Sequence, residues 1–258
     1  MNEKNNYNRL EFEKNFHNER FASGNRDRAG ISKYYSINKV AKNTFYKLIE
    51  NNCKNKKLIE YGCADGLNLE VYHDYGAILT GVDISEQGIK KAIESLKLKN
   101  INADCRVMNV EETNFDSNTF DIATGMGIIH HLDIKKVFEE TSRILSENGQ
   151  AIFFEPLGHN PLFNLFRKMT PNIRTIDEHP LLRKDLILLN NYFENVNITY
   201  FSLLTLFAVP LRNTFVFNLF YKFLSFLDKL IFNVPYIKDW AWVVIIHARN
   251  PIKTKSPS

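Results

Sequence analysis

From Lys57 onward the chain alternates short apolar runs with amphipathic stretches of helical period. Lys57–Tyr61 is a short apolar run closed by a glycine-containing turn, Gly62–Gly66, and predicts a strand and a tight reversal. A helix is expected over 67–75, a strand over Ile78–Asp83 and a helix from Ser85 to Lys99, with the Ser85 hydroxyl as its N-cap. Further strands are expected at 103–108, 119–124 and 149–155, and a helix at 134–146. Strands alternating with helices of this length form βαβ units, so the fold class is α/β with a mostly parallel, doubly wound sheet.

The flanks read differently. Residues 1–33 are polar and Asn-rich, and predict a partly ordered lead that is helical around Glu11–Phe21. Ile37, Val40, Ala41, Phe45, Leu48 and Ile49 recur at helical spacing, which predicts a helix over 36–51. After Pro156, short helices are expected at 161–168 and 183–192, then a strand near 194–201 and a closing strand Trp240–Ala248. Between those strands lies an apolar insertion, 203–236, whose stretch 211–235 reads as helical. Phe217, Phe220, Phe223, Leu224, Leu227, Leu230 and Ile231 form a stripe there. Lys222, Asp228 and Lys229 interrupt that insertion; they argue against a bilayer-spanning helix and are expected on one rim of the stripe. The division this predicts is a helical lead or lid (1–52), a main domain (53–202 with 237–250) and the insertion (203–236).

Charge sharpens the picture. Residues 1–57 carry a net +7, residues 201–258 a net +5 and the middle a net −8. An acidic centre between basic flanks is not the dense Lys/Arg stripe of a nucleic-acid binder, so no nucleic-acid partner is expected. The basic flanks suit a phosphate-bearing substrate or an anionic membrane surface, or are simply solvated. Cys53, Cys63 and Cys105 have neither paired nor metal-ligand spacing, and no secretory signal precedes them. No metal is therefore expected, and a cytoplasmic setting is.

The segment with most chemical content is Glu60-Tyr-Gly62-Cys63-Ala64-Asp-Gly66, at the end of a predicted strand. Its glycines permit a tight turn and close approach to a ligand, and the next helix offers free N–H donors. Gly81-Val-Asp83-Ile84 closes the second strand, where a carboxylate can accept both hydroxyls of a ribose. The nicotinamide fingerprint Gly-x-Gly-x-x-Gly is not met, since this turn reads Gly-x-Ala-x-Gly.

With these residues the chain resembles the class I S-adenosylmethionine-dependent methyltransferases, in particular the type 11-like small-molecule enzymes. Glu60–Gly66 resembles their first motif, with Ala64 in place of the middle glycine. The resemblance implies that Asp83 binds the ribose and that Ile84 packs on the adenine. Arg106-Val-Met-Asn109-Val110-Glu111 matches the stretch beside the adenine, with Asn109 where an Asp is usual. Gly125-Met-Gly-Ile-Ile-His130-His131-Leu132 resembles the fourth strand and its histidine pair, and Arg143–Gly149 the approach to the fifth. The similarity spans about 57–156. It implies a Rossmann-like seven-stranded sheet with helices on both faces, S-adenosylmethionine as cofactor, and methyl transfer.

A hydroxyl acceptor benefits from a general base, and histidine suits that role near neutral pH. The candidates are His130 and His131 after the fourth strand, His159 and Glu155 in Glu155–Pro161, and His179 in Asp177–Pro180. Each of these side chains is equally at home as a structural hydrogen-bonder. Tyr34 and Tyr35 either fold over the cofactor or pack on the surface. The expected reaction is methyl transfer, chiefly to oxygen, on a small or lipid-linked metabolite; the rival is a cofactor-binding but inactive partner in a biosynthetic complex. The apolar insertion serves as a lid helix, an acceptor pocket, a homodimer interface or a peripheral membrane contact at the inner face.

Overall fold

The computed structural model describes residues 3–23, 36–169 and 179–253. Tyr34, Tyr35, Asp177 and Glu178 lie outside the described residues. The chain opens with α1 (Glu3–Ser23) and, after a 3-10 turn at Ser36–Asn38, α2 (Lys39–Cys53). The alternating section follows: β1 (Lys57–Tyr61), α3 (Leu67–Asp74), β2 (Ile78–Asp83), α4 (Glu86–Leu98), β3 (Ala103–Val107), β4 (Phe120–Met126), α5 (Ile134–Ile144) and β5 (Leu145–Pro156). It is completed by α6 (Pro161–Met169), α7 (Arg183–Leu188), β6 (Phe193–Phe201), α8 (Phe217–Ile231) and β7 (Val243–Pro251).

The seven strands form one sheet in the order β3-β2-β1-β4-β5-β7-β6. All neighbours are parallel except β7, which runs antiparallel to β5 and β6. Successive residues of the central strands are buried on opposite faces of the sheet. Ile59, Ala123, Phe153, Val244 and Ile246 pack on one face with Val137 and Phe138 of α5. Leu58, Ile122, Ile152, Phe154 and Ile245 pack on the other with Phe45 and Ile49 of α2 and Leu69 of α3. Strands that are apolar at every position, rather than at every second one, follow from helices covering both faces.

Two strands differ from the sequence expectation by three residues or more. β5 starts at Leu145 rather than 149, because Leu145 pairs with Phe120 before a register shift brings Gln150 opposite Ile122. The closing strand starts at Val243 rather than Trp240: residues Lys238–Trp240 form a 3-10 turn, and the strand runs on to Pro251 because β6 pairs with it as far as Phe193. The charges of the insertion also fall differently. Asp228 is buried, not on a rim, and its carboxylate accepts N–H bonds from Leu203 (3.2 Å), Leu204 (2.6 Å) and Thr205 (3.3 Å), so it caps the 3-10 segment Leu204–Leu211.

Strand order reverses between β1 and β4, and the carboxyl ends of strands flanking such a switch point leave a crevice that binds ligands. Phe201 and Pro156 both pair with Val243, so the insertion before β7 emerges at that same edge.

Candidate active site

A cavity of about 350 Å³ opens at the switch point, within the range of small-ligand pockets. Its floor is the turn after β1. Gly62 (φ +66°), Ala64 (φ +50°) and Gly66 (φ +84°) all sit in the left-handed region. At Gly62 a Cβ would come within 3.1 Å of the Ile128 side chain, across the cavity floor. Ala64 carries a Cβ in this region, and its N–H is held by Asp83 Oδ2 at 2.9 Å. Cys63 points behind the floor, buried against Gly81, and burial pushes its thiol far above the usual range.

Glu60 lies beneath the turn, 1% exposed. Its Oε1 accepts from Asn68 Nδ2 at 2.7 Å, and Asn68 Oδ1 accepts from Tyr46 Oη at 2.8 Å. Its Oε2 has no hydrogen-bond partner, and burial pushes the carboxyl up to about 8. A buried carboxyl oxygen without a partner is costly; Glu60 itself is not among the cavity-lining residues and reaches the cavity wall through Asn68. Asn68, which lines the cavity, is a further candidate that sequence motifs did not single out.

At the next strand end, Asp83 accepts from Ala64 N and, through Oδ1, from Ser85 N at 2.8 Å. Burial raises its pKa and these two backbone N–H groups oppose the rise. A carboxylate offers about four lone-pair sites, so two remain for a ligand. Ile84, Met108, Asn109 and Val110 complete this end of the cavity. Asn109 Oδ1 accepts from Glu111 N at 3.0 Å, which leaves one lone pair of its amide oxygen.

The other end is built by the loop after β4. Glu155, fully buried at the end of β5, accepts through Oε1 from the N–H groups of Ile128 and Ile129, each at 2.9 Å. Its Oε2 lies 2.8 Å from His130 Nδ1, and burial pushes the carboxyl up to about 7. Gly125 lets this loop close down, since a Cβ there would come within 2.7 Å of Ile128. Thus Glu155 and His130 are brought together behind the loop, whereas His131 lines the cavity. His159 and His179 are not among the cavity-lining residues. His159 Nε2 accepts from Arg183 N at 2.9 Å, and His179 N donates to His130 O at 3.0 Å.

The roof is α1. Leu10, Glu13, His17, Arg20 and Phe21 face the cavity from one side of the helix. Arg9 pairs with Glu111, Lys14 with Glu86 at 2.6 Å, and Asn18 Oδ1 accepts from Ser85 Oγ at 2.7 Å. The buried Glu13 carboxylate sits between His131 Nδ1 (3.6 Å) and His17 Nε2 (3.4 Å). The sequence predicts a helical lead or lid here but not which of its residues face the cavity, because α1 carries no continuous apolar stripe. The usable signal was the spacing Leu10, Glu13, His17, Phe21, which is one helical face.

Residues 59–153 match a family described as a methyltransferase domain. A ubiquinone biosynthesis O-methyltransferase of Coxiella burnetii is 30% identical over 108 residues, which is 42% of this chain and 46% of that protein. The chain thus spans less than half the length of that curated relative. The geranyl diphosphate C-methyltransferase of Streptomyces coelicolor A3(2), solved with S-adenosyl-L-homocysteine, superposes with a TM-score of 0.59 at 16% identity, over 82% of this chain and 79% of that one. A phosphoethanolamine N-methyltransferase of Haemonchus contortus gives 0.56 at 18% identity, over 78% and 50%.

Proposed function

From a chain that carries a class I methyltransferase domain, we propose an S-adenosylmethionine-dependent methyltransferase acting on oxygen of a small or lipid-linked metabolite. The observation that carries this reading is one cavity that joins the Asp83 and Asn109 end to His131 and is lined by Asn68, the hydrogen-bond partner of the buried Glu60. The unpartnered Oε2 of Glu60 and the left-handed glycine turn fit the cofactor: Glu60 and the turn would hold its amino-acid part, Asp83 its ribose, and Ile84, Asn109 and Val110 its adenine. Bound there, S-adenosylmethionine supplies an electrophilic methyl group open to in-line displacement.

The chain's own residues then have distinct tasks. His131 takes the proton of an acceptor hydroxyl at Nε2, while the Glu13 carboxylate, 3.6 Å from Nδ1, favours a proton on that nitrogen and positive charge on the ring. Glu155 positions the loop through Ile128, Ile129 and His130 and does not touch the acceptor. The roof helix excludes water from the reacting groups. Oxygen as the acceptor atom is supported by the name of the Coxiella relative. A hydrophobic or lipid-linked acceptor is supported by the apolar insertion at the same sheet edge, and such an acceptor would be met at the inner face of the membrane.

Two measurements test this. Calorimetric titration should show S-adenosylhomocysteine binding. Transfer of labelled methyl from the cofactor to a lipid extract should fall about 10²–10⁴-fold in His131→Ala with cofactor affinity nearly intact. Binding without transfer to any extract would instead identify the inactive partner of a biosynthetic complex.

A further inference from the structure

Tyr221 and Leu224 of α8 are buried, and with partly buried Phe217, Phe220 and Leu227 they pack on the 3-10 segment Leu204–Leu211 and on Ile37. That side of the helix is satisfied. The opposite side is apolar as well: Leu219 is 76% exposed, Phe223 54%, Phe226 58% and Leu230 54%, and Phe215 just before the helix is 98% exposed. The four helical positions are spaced i, i+4, i+7, i+11, a continuous stripe about 16 Å long. Phe207 of the 3-10 segment is exposed as well, as are Leu165 and Met169 of α6, which follows β5 at the same sheet edge.

The charges around the stripe are of one sign. Between residues 203 and 238 the only acid is Asp228, which is buried and bonded to backbone N–H groups on the inner side. Arg212, Lys222 and Lys229 are exposed, and Lys222 and Lys229 border the stripe directly. A water-facing helix has no use for outward phenyl rings, and a self-associating face would bring these cations against one another. Outward aromatic and aliphatic side chains fringed by lysine are the composition of a helix that lies in a membrane interface. No helix among the described residues is long and apolar enough to cross a membrane.

We infer that the outer face of α8 docks on an anionic lipid surface, with Phe215, Leu219, Phe223, Phe226 and Leu230 in the acyl boundary and Lys222 and Lys229 at the headgroups. The inference rests on the proposed action on a lipid-linked acceptor, and it adds orientation: α8 emerges at the carboxyl edge of the sheet, so docking turns the mouth of the cavity toward the bilayer.

Vesicle co-sedimentation with the whole protein tests it, using phosphatidylcholine alone and phosphatidylcholine mixed with phosphatidylglycerol. The wild type should partition to the anionic vesicles and be released as salt rises. Lys222→Glu with Lys229→Glu should weaken partition about five-fold per lysine. Phe223→Glu with Phe226→Glu should weaken it about ten-fold per ring or more. All these side chains point outward, so thermal melting and S-adenosylhomocysteine affinity should match the wild type in both variants. Wild-type protein left in the supernatant with anionic vesicles, or partition indifferent to both variants, overturns the inference. So does a reversible dimer in sedimentation velocity that Phe223→Glu disperses, which would assign the face to a second copy. Docking without S-adenosylhomocysteine binding would leave the inference standing and sink the methyltransferase reading; cofactor binding without docking would do the reverse.

Discussion

Glu60 offers a prediction in which stability and ligand binding move in opposite directions. Its carboxyl is carried from an ordinary 4.5 to about 8, first by burial, against a single hydrogen bond from Asn68. Below pH 4.5 the group is protonated whether the chain is folded or not, and contributes no pH dependence. Between 4.5 and 8 the unfolded chain releases the proton while the folded chain keeps it, so stability falls as pH rises through that window. The slope is about 1.4 kcal/mol per pH unit, which makes the burden at pH 8 a few kcal/mol. Glu60→Gln removes the charge and keeps an acceptor for Asn68. It should melt like the wild type near pH 4 and well above it at pH 8, by several degrees for a domain of this size. A ligand ammonium needs the ionised carboxylate, so the same variant should bind S-adenosylhomocysteine about 10–100-fold more weakly at pH 8, the worth of a charge-assisted bond. Melting scans at several pH values and calorimetry read both quantities. Equal melting of variant and wild type at pH 8 would refute the cost assigned to the buried carboxylate, and undiminished binding would refute its role beneath the ligand.

Three other outcomes follow from the same site. Glu155→Ala strips three partners from the loop after β4 and should cost about 3 kcal/mol or more in urea unfolding, with Glu155→Gln intermediate. Ala64→Gly relieves a Cβ at φ +50° worth about 1 kcal/mol but adds freedom to the unfolded chain, for a net gain of about 0.5 kcal/mol; its melting temperature should rise slightly. Asp83→Asn keeps one acceptor for Ala64 or Ser85 but loses the charge, and calorimetry should show S-adenosylhomocysteine affinity reduced by about 1.5–3 kcal/mol.

The alternating heart of the fold was legible because two periods coincide there with strong punctuation. Lys57–Tyr61 and Ile78–Asp83 were bounded correctly by the turn residues beside them, and Ser85 caps α4 by accepting from Gly88 N at 3.0 Å. Boundaries slipped where pairing outranked composition: Leu145, expected in the helix over 134–146, is drawn into β5 by Phe120 of β4, and Trp240, expected to open the last strand, lies in a 3-10 turn before β7. At the site, residues that act through backbone turns could be read from motifs. Which histidine faces the cavity could not, because His130 and His131 differ only in whether Glu155 or the cavity claims the ring. The inward residues of the roof escaped for a further reason, since Glu13 and His17 meet His131 only across more than a hundred residues of chain.

That roof has a kinetic consequence. On the α1 side a ligand seated against the β1 turn is covered by Leu10, Glu13 and Phe21, and that cover is held where Arg9 pairs with Glu111, Lys14 pairs with Glu86 and Lys91 Nζ donates to Phe21 O. Release on that side requires the helix to lift, and of its two ion pairs Lys14–Glu86 is exposed while Arg9–Glu111 is largely buried. Raising ionic strength screens the exposed pair more than the buried one, so bound cofactor should dissociate modestly faster in salt even where equilibrium affinity changes little, and the exchange rate becomes a property of the medium as well as of the site.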